Sequence, residues 1–112
     1  MTKKYFKSVK VTDKDGGGNF VIDYFICEDR FPIGEKMGVV TYGIEVVKKE
    51  NGLKQTHCAP SLFTNYDDAA AFSDMLWRNS VTPVSMPAIT EDYLASLSIE
   101  REKMKSSMFA VM

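Results

Sequence analysis

The sequence predicts an α+β fold in which an antiparallel sheet of about four strands precedes two helices packed on one face. Two observations lead to this prediction. Apolar residues alternate with polar ones at period two in the first half of the chain, and they recur at intervals of three and four residues in the second half. Strands followed by helices are typical of α+β domains with the helices on one face of the sheet.

The first two strands are predicted as a hairpin around a glycine-rich turn. Residues 5–12 and 19–28 are rich in β-forming residues, and residues 13–18 are turn formers ending in three glycines. The residues expected to share one face are Tyr5, Val9 and Val11 in the first strand, and Phe20, Ile22, Tyr24 and Ile26 in the second.

Lysines interleaved with aromatic residues mark the N-terminal strand. They are Lys3, Lys4, Lys7, Lys10 and Lys14, beside Tyr5 and Phe6. Basic and aromatic residues together can bind single-stranded nucleic acid by charge and stacking. Lysines also protect the edge strand of a sheet from pairing with another chain. We favour the edge strand, because the whole chain has 14 Lys and Arg against 15 Asp and Glu, whereas a nucleic-acid partner usually requires a basic balance.

A second hairpin is predicted from its turn. Residues 29–38 contain a proline and two glycines and are expected to form a loop. Residues 39–49 and 53–63 are the third and fourth strands, joined by Asn51-Gly52, a pair that tolerates the positive φ of a type I′ turn. Placing this pair at the turn centre predicts the register. The expected partners are Glu50 with Leu53, Val46 with His57, Glu45 with Cys58, Ile44 with Ala59, and Tyr42 with Ser61.

Two helices are predicted after the strands. Thr64 or Asn65 can cap the first helix, and Asp67 and Asp68 follow in its first turn, where the helix dipole favours negative charge. Its apolar stripe contains Ala69, Phe72, Met75 and Leu76. Pro83 and Pro87 then interrupt the helical pattern. From residue 88 to about 107 the pattern is helical again, and its stripe extends as Leu94, Leu97, Arg101, Met104, Met108 and Val111.

These elements predict one domain, residues 1–98, with a C-terminal helical extension, residues 99–112. A chain of 112 residues is long enough to bury a core without metal or disulfide staples. The two cysteines, Cys27 and Cys58, are too few for a disulfide-stabilised secreted domain, and no apolar run reaches the length of a signal peptide or a membrane span. We therefore expect a cytoplasmic protein with free thiols and no membrane partner.

No pattern for a metal, a cofactor or a catalytic group is found in the sequence. A strand follows the triple glycine, whereas a phosphate loop requires a helix at that point. His57 and Cys58 are adjacent, so in a strand they point to opposite faces and cannot form a nucleophile–base pair. We expect no cofactor, no metal and no catalytic residues, although an enzymatic role stays open.

Two functional classes remain. The first is a non-enzymatic interaction or regulatory protein that binds a protein partner or a second copy through its C-terminal helix. The candidate partner-binding residues are Trp77, Arg101, Met104, Met108 and Phe109. For Trp77, packing at the edge of the core is the alternative. The second class is a small ligand-binding domain or enzyme with a pocket between sheet and helices, near Tyr42, Glu45 and His57. The missing catalytic pattern favours the first class.

Several short motifs resemble a family of short uncharacterised Firmicutes proteins. The motifs are Tyr42-Gly-Ile-Glu45, Asn79, Pro83 and Glu91-Asp-Tyr-Leu94. The family has a Tyr-Gly strand motif, a Cys-Asn pair that ends a helix, and a Glu-Asp-Phe-Leu motif. In this chain Arg78 precedes Asn79 and Ser80 follows it, and Tyr93 stands where the family often has Phe. The family carries a domain of unknown function, so the resemblance implies a bacterial cytoplasmic protein and assigns no catalytic residues.

Overall fold

The computed structural model of the chain describes residues 2–12, 18–33 and 36–97. The described part contains one antiparallel sheet with the strand order β1-β2-β3-β4, followed by two helices. The elements are β1 (Thr2–Thr12), β2 (Asn19–Ile33), β3 (Lys36–Glu50), β4 (Leu53–Phe63), α1 (Tyr66–Arg78) and α2 (residues 86–97). The predicted α+β class, with four strands before two helices, is confirmed.

β2 and β3 are longer than the sequence predicted, and the loop expected over residues 29–38 was wrong. The two strands still pair at Phe31 and Val39, whereas β1 stops pairing with β2 at Glu28. The strands continue because a ladder of backbone hydrogen bonds does not require apolar side chains. Pro32, which lacks an N–H, falls at a shift in register. This projecting part of β2 and β3, residues 29–33 and 36–41, is called the β2–β3 ribbon.

A β-bulge at Phe6 corrects the predicted position of Tyr5. Tyr5 pairs with Phe25, whereas Val9 pairs with Ile22, and the register shifts between these two pairs. The extra residue reverses the alternation, so Tyr5 and Val9 lie on opposite faces of the sheet. β1 is an edge strand, as expected. A bulge and several lysines are typical of a protected edge.

The β3–β4 hairpin has the predicted turn. Asn51 and Gly52 have φ angles of 50° and 77°, the positive values that a type I′ turn requires. Four of the five predicted pairs are confirmed: Glu50–Leu53, Val46–His57, Glu45–Cys58 and Ile44–Ala59.

The fifth predicted pair was wrong, because β4 contains an irregularity. Tyr42 pairs with Phe63 instead of Ser61. In the irregular part of β4, Ser61 adopts a positive φ of 54°. The irregular part of β4 passes very close to Gly43. A Cβ atom at Gly43 would lie 2.5 Å from the Ala59 carbonyl oxygen, so only glycine allows the two backbones to approach in this way.

The core lies between the sheet and the helices. Its buried residues are Ile22, Tyr24, Ile26, Ile44 and Val46 from β2 and β3, Phe63 at the end of β4, Ala69, Phe72 and Leu76 from α1, and Val81 and Met86 after α1. The side of the sheet that carries these strand residues is called the helix face. From α2, the ring of Tyr93 packs on Phe72 with centroids 4.6 Å apart. Each fully buried large apolar side chain contributes about 1.5–3 kcal/mol relative to exposure.

Both ends of α1 are capped by asparagine. The Asn65 side chain accepts a hydrogen bond of 2.7 Å from the Asp67 N–H, as the sequence predicted. At the other end, Asn79 is the C-cap and Ser80 has a φ of 50°. The Val81 N–H then donates 3.0 Å to a carbonyl in the last turn, which is the Schellman arrangement. These caps explain why Asn79 ends the helix.

Candidate functional site

The sheet has a second face, turned away from both described helices, which is called the open face. Side chains alternate between the two faces along β2 and β3, so the residues between the core positions point to the open face. On β1 it carries Lys3, Tyr5, Ser8 and Lys10, and on β4 it carries Cys58. On the two central strands it carries Val21, Asp23, Phe25, Cys27, Asp29 and Phe31 from β2 and Val39, Thr41, Gly43, Glu45, Val47 and Lys49 from β3. Cys27, Val47 and Asp23 on this face are buried, whereas Tyr5, Phe31 and Val39 are exposed and form the candidate binding surface.

An ion pair spans three strands of the open face. Lys3 starts on β1, and its Nζ lies 2.8 Å from Glu45 Oε2 on β3. The same Nζ lies over the ring of Phe25 on β2, 4.7 Å from the centroid, which is close enough for a cation–π contact. The hydrogen bond to Glu45 raises the pKa of Lys3 above its ordinary value. Lys3 therefore stays charged and ties the edge strand to the centre of the sheet.

The two thiols flank this ion pair. Cys27 on β2 is fully buried and faces Gly43, while Cys58 on β4 is partly buried and faces Glu45. Since Gly43 has no side chain, nothing on β3 projects between Cys27 and the neighbourhood of Cys58. Both thiols are free, as the sequence predicted.

The environment of the thiols keeps them protonated. Burial is the main cause, and together with the nearby Cys58 and Glu45 it raises the pKa of Cys27 to about 11. Burial, followed by the negative charge of Glu45, also raises the pKa of Cys58. The thiolate is the nucleophilic form of cysteine, so this environment disfavours nucleophilic catalysis at either position.

A polar network occupies the neighbouring part of the open face. The Tyr5 hydroxyl donates 2.9 Å to Ser8 Oγ, and Ser8 in turn donates to Asp23 Oδ1. The other oxygen of Asp23 lies 3.2 Å from the Nζ of Lys49. Asp23 is buried, and these partners balance its charge within the chain.

Three exposed apolar side chains lie on the open face. Tyr5, Phe31 and Val39 are 63%, 51% and 45% exposed, and they make up half of the large hydrophobic residues that are exposed in the described part of the chain. Phe31 and Val39 form a cross-strand pair in the β2–β3 ribbon. A two-stranded ribbon is only marginally stable by itself. An exposed apolar pair on such a ribbon is typical of a surface that packs against another protein surface.

The three residues of the predicted pocket do not converge. Tyr42 and His57 belong to the helix face, while Glu45, three positions after Tyr42, belongs to the open face. The ring of Tyr42 contacts Tyr66 at the start of α1, with centroids 5.8 Å apart. A shallow depression lies elsewhere, beside the turn of the β3–β4 hairpin. The geometry therefore does not form a common pocket from these three residues.

Trp77 is engaged within the chain. Its Nε1 donates 2.9 Å to the Ser8 carbonyl, and the Nζ of Lys7 lies 4.4 Å from its ring centroid. These contacts join α1 to β1 and favour packing at the edge of the core over contact with a partner. The other candidate partner-binding residues, Arg101, Met104, Met108 and Phe109, lie outside the described residues, and their role stays a prediction.

Most motif residues behind the family resemblance have a structural role. Gly43 permits the close approach of β4, Asn79 caps α1, and Tyr93 packs on the core. Glu45 differs, because it lies on the open face in the ion pair with Lys3.

The fold and the surface together define a small α+β domain with a sheet covered by helices on one face. The chain belongs to a family of unknown function (DUF6514), whose model matches residues 3–96. The predicted membership of a family with a domain of unknown function is thereby confirmed, while the Firmicutes origin stays a prediction. No curated protein and no solved structure matches the chain.

Within residues 2–12, 18–33 and 36–97, no helix has the length and hydropathy needed to cross a membrane. In the same ranges, no three His, Cys, Asp or Glu side chains are grouped so that they could hold a metal ion.

The sequence analysis does not predict the open face as a single surface. A signal was present in β2, where Val21, Phe25 and Cys27 alternate with the predicted core residues, so that both sides of the strand are apolar. Such two-sided strands are typical of sheets that are covered on both faces. Lys3 could not have been assigned to this face, because its position depends on the bulge at Phe6.

Proposed function

We propose that the chain is a small, non-enzymatic, cytoplasmic interaction protein that associates with a second copy of itself. The observation that carries the proposal is the exposed apolar pair Phe31 and Val39 on the β2–β3 ribbon. Asp29 and Thr41 separate this pair from Cys27, which is already buried within the chain. Apolar area of this kind is stabilised when another surface removes it from water.

The chemistry of the open face supports binding rather than catalysis. The thiols of Cys27 and Cys58 have raised pKa values, so thiolate is scarce at neutral pH. Lys3 and Glu45 neutralise each other, as do Asp23 and Lys49. Two free thiols suit a reducing compartment, which supports the cytoplasmic location.

The sequence supplies the candidate for the partner element. In the C-terminal part the stripe Leu94, Leu97, Arg101, Met104, Met108 and Val111 keeps steps of three and four residues, the spacing of a helix that packs along one side. Methionine is flexible and adapts to irregular surfaces, which suits a binding helix. We therefore assign self-association to residues 99–112.

Light scattering tests the proposal. The full chain should be a dimer at micromolar concentration, and a chain that ends at Ser98 should be a monomer with the same cooperative unfolding. Within the full chain, Met108→Asp should dissociate the dimer, while the matched change Lys105→Asp, off the stripe, should leave it intact. A full chain that stays monomeric would contradict the proposed function.

A further inference from the structure

The two edge strands of the sheet differ in how they are protected from pairing with another chain. β1 contains four lysines and the bulge at Phe6, both of which disfavour such pairing. α1 also covers part of this edge. Trp77 Nε1 donates 2.9 Å to the Ser8 carbonyl, and Lys7 pairs with Asp74 at 2.9 Å. A second chain therefore cannot add to β1 without displacing these contacts.

β4 is the other edge strand, and its first half lacks this protection. The register with β3 is unbroken from Leu53 to Ala59. Lys54 is the single lysine of β4, and residues 53–56 are all exposed. No backbone group of this stretch is hydrogen-bonded to either described helix. A regular and uncovered edge of this kind is a template for an added strand.

The turn of the β3–β4 hairpin determines which backbone groups of β4 point outwards. In a two-residue type I′ turn the flanking residues, Glu50 and Leu53, exchange both of their backbone hydrogen bonds. Hydrogen-bonded and non-bonded pairs alternate from there, so every second residue directs its N–H and C=O away from β3. These residues are Lys54, Thr56 and Cys58. Pro60 is next in the series, and its missing N–H ends the edge that can pair.

We propose that β4 of one copy pairs antiparallel with β4 of a second copy, so that the two sheets become continuous across the dimer. This inference rests on the proposed self-association and names a further contact within that dimer. The outward groups of the two strands meet fully when the two-fold axis passes beside Thr56. Thr56 then pairs with itself, and Lys54 pairs with Cys58 of the second copy. These pairs exchange about six backbone hydrogen bonds.

The side chains of this register suit a second copy. Threonine opposite threonine is a favourable cross-strand pair, and the two-fold axis produces it at Thr56. On the helix face, Leu53 comes to lie opposite Ala59 of the second copy. Leu53 is 74% exposed in the single chain, so the pairing removes apolar area from water.

The charges are complementary as well. Lys54 faces Lys49 across the hairpin, and no carboxylate of the described residues pairs with it. In the dimer, Lys54 lies beside Cys58 of the second copy, whose neighbour on β3 is Glu45. Lys3 already reaches Glu45 from the other side, across β2. Lys54 of the second copy can make the equivalent reach across β4, which places the carboxylate between two cations.

Edge pairing alone does not hold two copies together at micromolar concentration. Each backbone hydrogen bond contributes only modestly after its exchange with water, and association costs translational and rotational freedom. The C-terminal residues 99–112 therefore supply the affinity in the proposed dimer, and β4 sets how the two sheets meet. A chain that ends at Ser98 is expected to be a monomer for the same reason.

The dimer dissociation constant of the full chain tests the edge. Thr56→Pro removes one outward N–H from each copy and should weaken the dimer by about tenfold or more. The ladder between β3 and β4 does not use this N–H, so the variant should fold, which thermal unfolding checks. Thr56→Val is the matched control, because it keeps the N–H and the β-branched shape, and it should change the dissociation constant far less.

A second pair of variants tests the charges. Lys54→Glu places a carboxylate near Glu45 of the second copy and should weaken the dimer. Lys10→Glu, on the opposite edge strand, is the control and should leave the dissociation constant unchanged. Equal effects of the two changes would contradict the position of Lys54 in the interface.

Cross-linking tests the register without depending on proline. In a background of Cys27→Ser and Cys58→Ser, Thr56→Cys places two thiols on residues whose Cα atoms are about 5.5 Å apart, within disulfide reach. Oxidised glutathione should convert this variant to a disulfide between copies. The two Gln55 positions are offset by about 6.6 Å along the strands and lie about 8 Å apart, which is beyond that reach. Gln55→Cys should therefore cross-link much less.

The outcomes distinguish the two proposals. If the full chain dimerises through residues 99–112, but Thr56→Pro has no effect or Thr56→Cys and Gln55→Cys cross-link equally, the edge pairing is wrong and self-association stands. If the chain that ends at Ser98 is a dimer that Thr56→Pro dissociates, the edge pairing stands and the assignment to residues 99–112 fails. A full chain that is a monomer overturns both.

Discussion

The hydroxyl of Tyr24, at the centre of the sheet, donates a hydrogen bond of 2.8 Å to the backbone carbonyl of Val81, just after α1. Both residues are buried, and 57 positions separate them along the chain. The bond satisfies a carbonyl in a segment that belongs to no helix or strand. It therefore fixes how the connection between α1 and α2 sits on the sheet.

Tyr24→Phe should lower the free energy of unfolding by about 1–2 kcal/mol, because it leaves the Val81 carbonyl buried without this donor. Urea denaturation followed by circular dichroism measures the change. Tyr66→Phe is the matched control, since Tyr66 is 48% exposed, and it should change stability much less. Equal losses for the two variants would show that the bond to Val81 contributes nothing.

The same tyrosine should make the protein sensitive to alkaline pH. Burial raises the pKa of Tyr24 above the ordinary value of 10.0. At pH values above that value the unfolded chain releases the phenolic proton while the folded chain retains it, so stability falls as pH rises. The wild-type chain should therefore lose stability more steeply than Tyr24→Phe above about pH 10. Parallel pH profiles of the two chains would contradict this linkage.

Gly43→Ala should destabilise the sheet where β4 approaches β3. The added Cβ would lie 2.5 Å from the Ala59 oxygen and 2.7 Å from the Pro60 Cα, both backbone atoms that cannot rotate away. We expect a loss of about 1–3 kcal/mol, in the range of overpacking changes. Gly52→Asn, at a positive φ of 77° with no atom near its Cβ, is the control and should cost far less.

The two thiols should react in a fixed order. Cys58 is partly exposed and should be alkylated by iodoacetamide in the folded protein, whereas Cys27 is fully buried and should react only after unfolding. Mass spectrometry with Cys27→Ser and Cys58→Ser as references identifies the site. Raising the pH should speed the reaction at Cys58, because its pKa is raised. Preferential labelling of Cys27 would contradict the prediction, because it would show that this thiol is accessible beside the Lys3–Glu45 ion pair.

Trp77→Phe should weaken the contact of α1 with β1. The change removes the hydrogen bond of 2.9 Å to the Ser8 carbonyl and should lower stability by about 1 kcal/mol. The dimer dissociation constant should stay the same, because this side chain is engaged within its own chain. A weaker dimer with unchanged stability would instead support the predicted role of Trp77 in partner binding.

The sequence predicts correctly those features that depend on residues close together in the chain. The turn at Asn51-Gly52, the cap at Asn65 and the apolar spacing of α1 all form as the sequence predicts. Each depends on residues close together in the chain, such as positive φ in the turn or a side chain that reaches an amide two positions away.

The errors have a common origin in contacts between distant residues. The bulge at Phe6 changes the face of Tyr5, and the irregularity of β4 depends on Gly43, which belongs to another strand. The sequence predicts a loop where the β2–β3 ribbon forms, because backbone pairing between its strands leaves no mark in the hydropathy of residues 29–38.

The sequence by itself determined the class of the fold, the order of its elements and the turn of the second hairpin. Alternation and spacing are properties of neighbouring residues, and they are sufficient for those features. The predicted register already placed Glu45 and His57 on opposite faces of the sheet. Only the tertiary structure decided that Lys3 on β1 reaches across β2 to Glu45 on β3. Which side chains meet across a sheet depends on register, and one bulged residue reverses the face of every residue on one side of it.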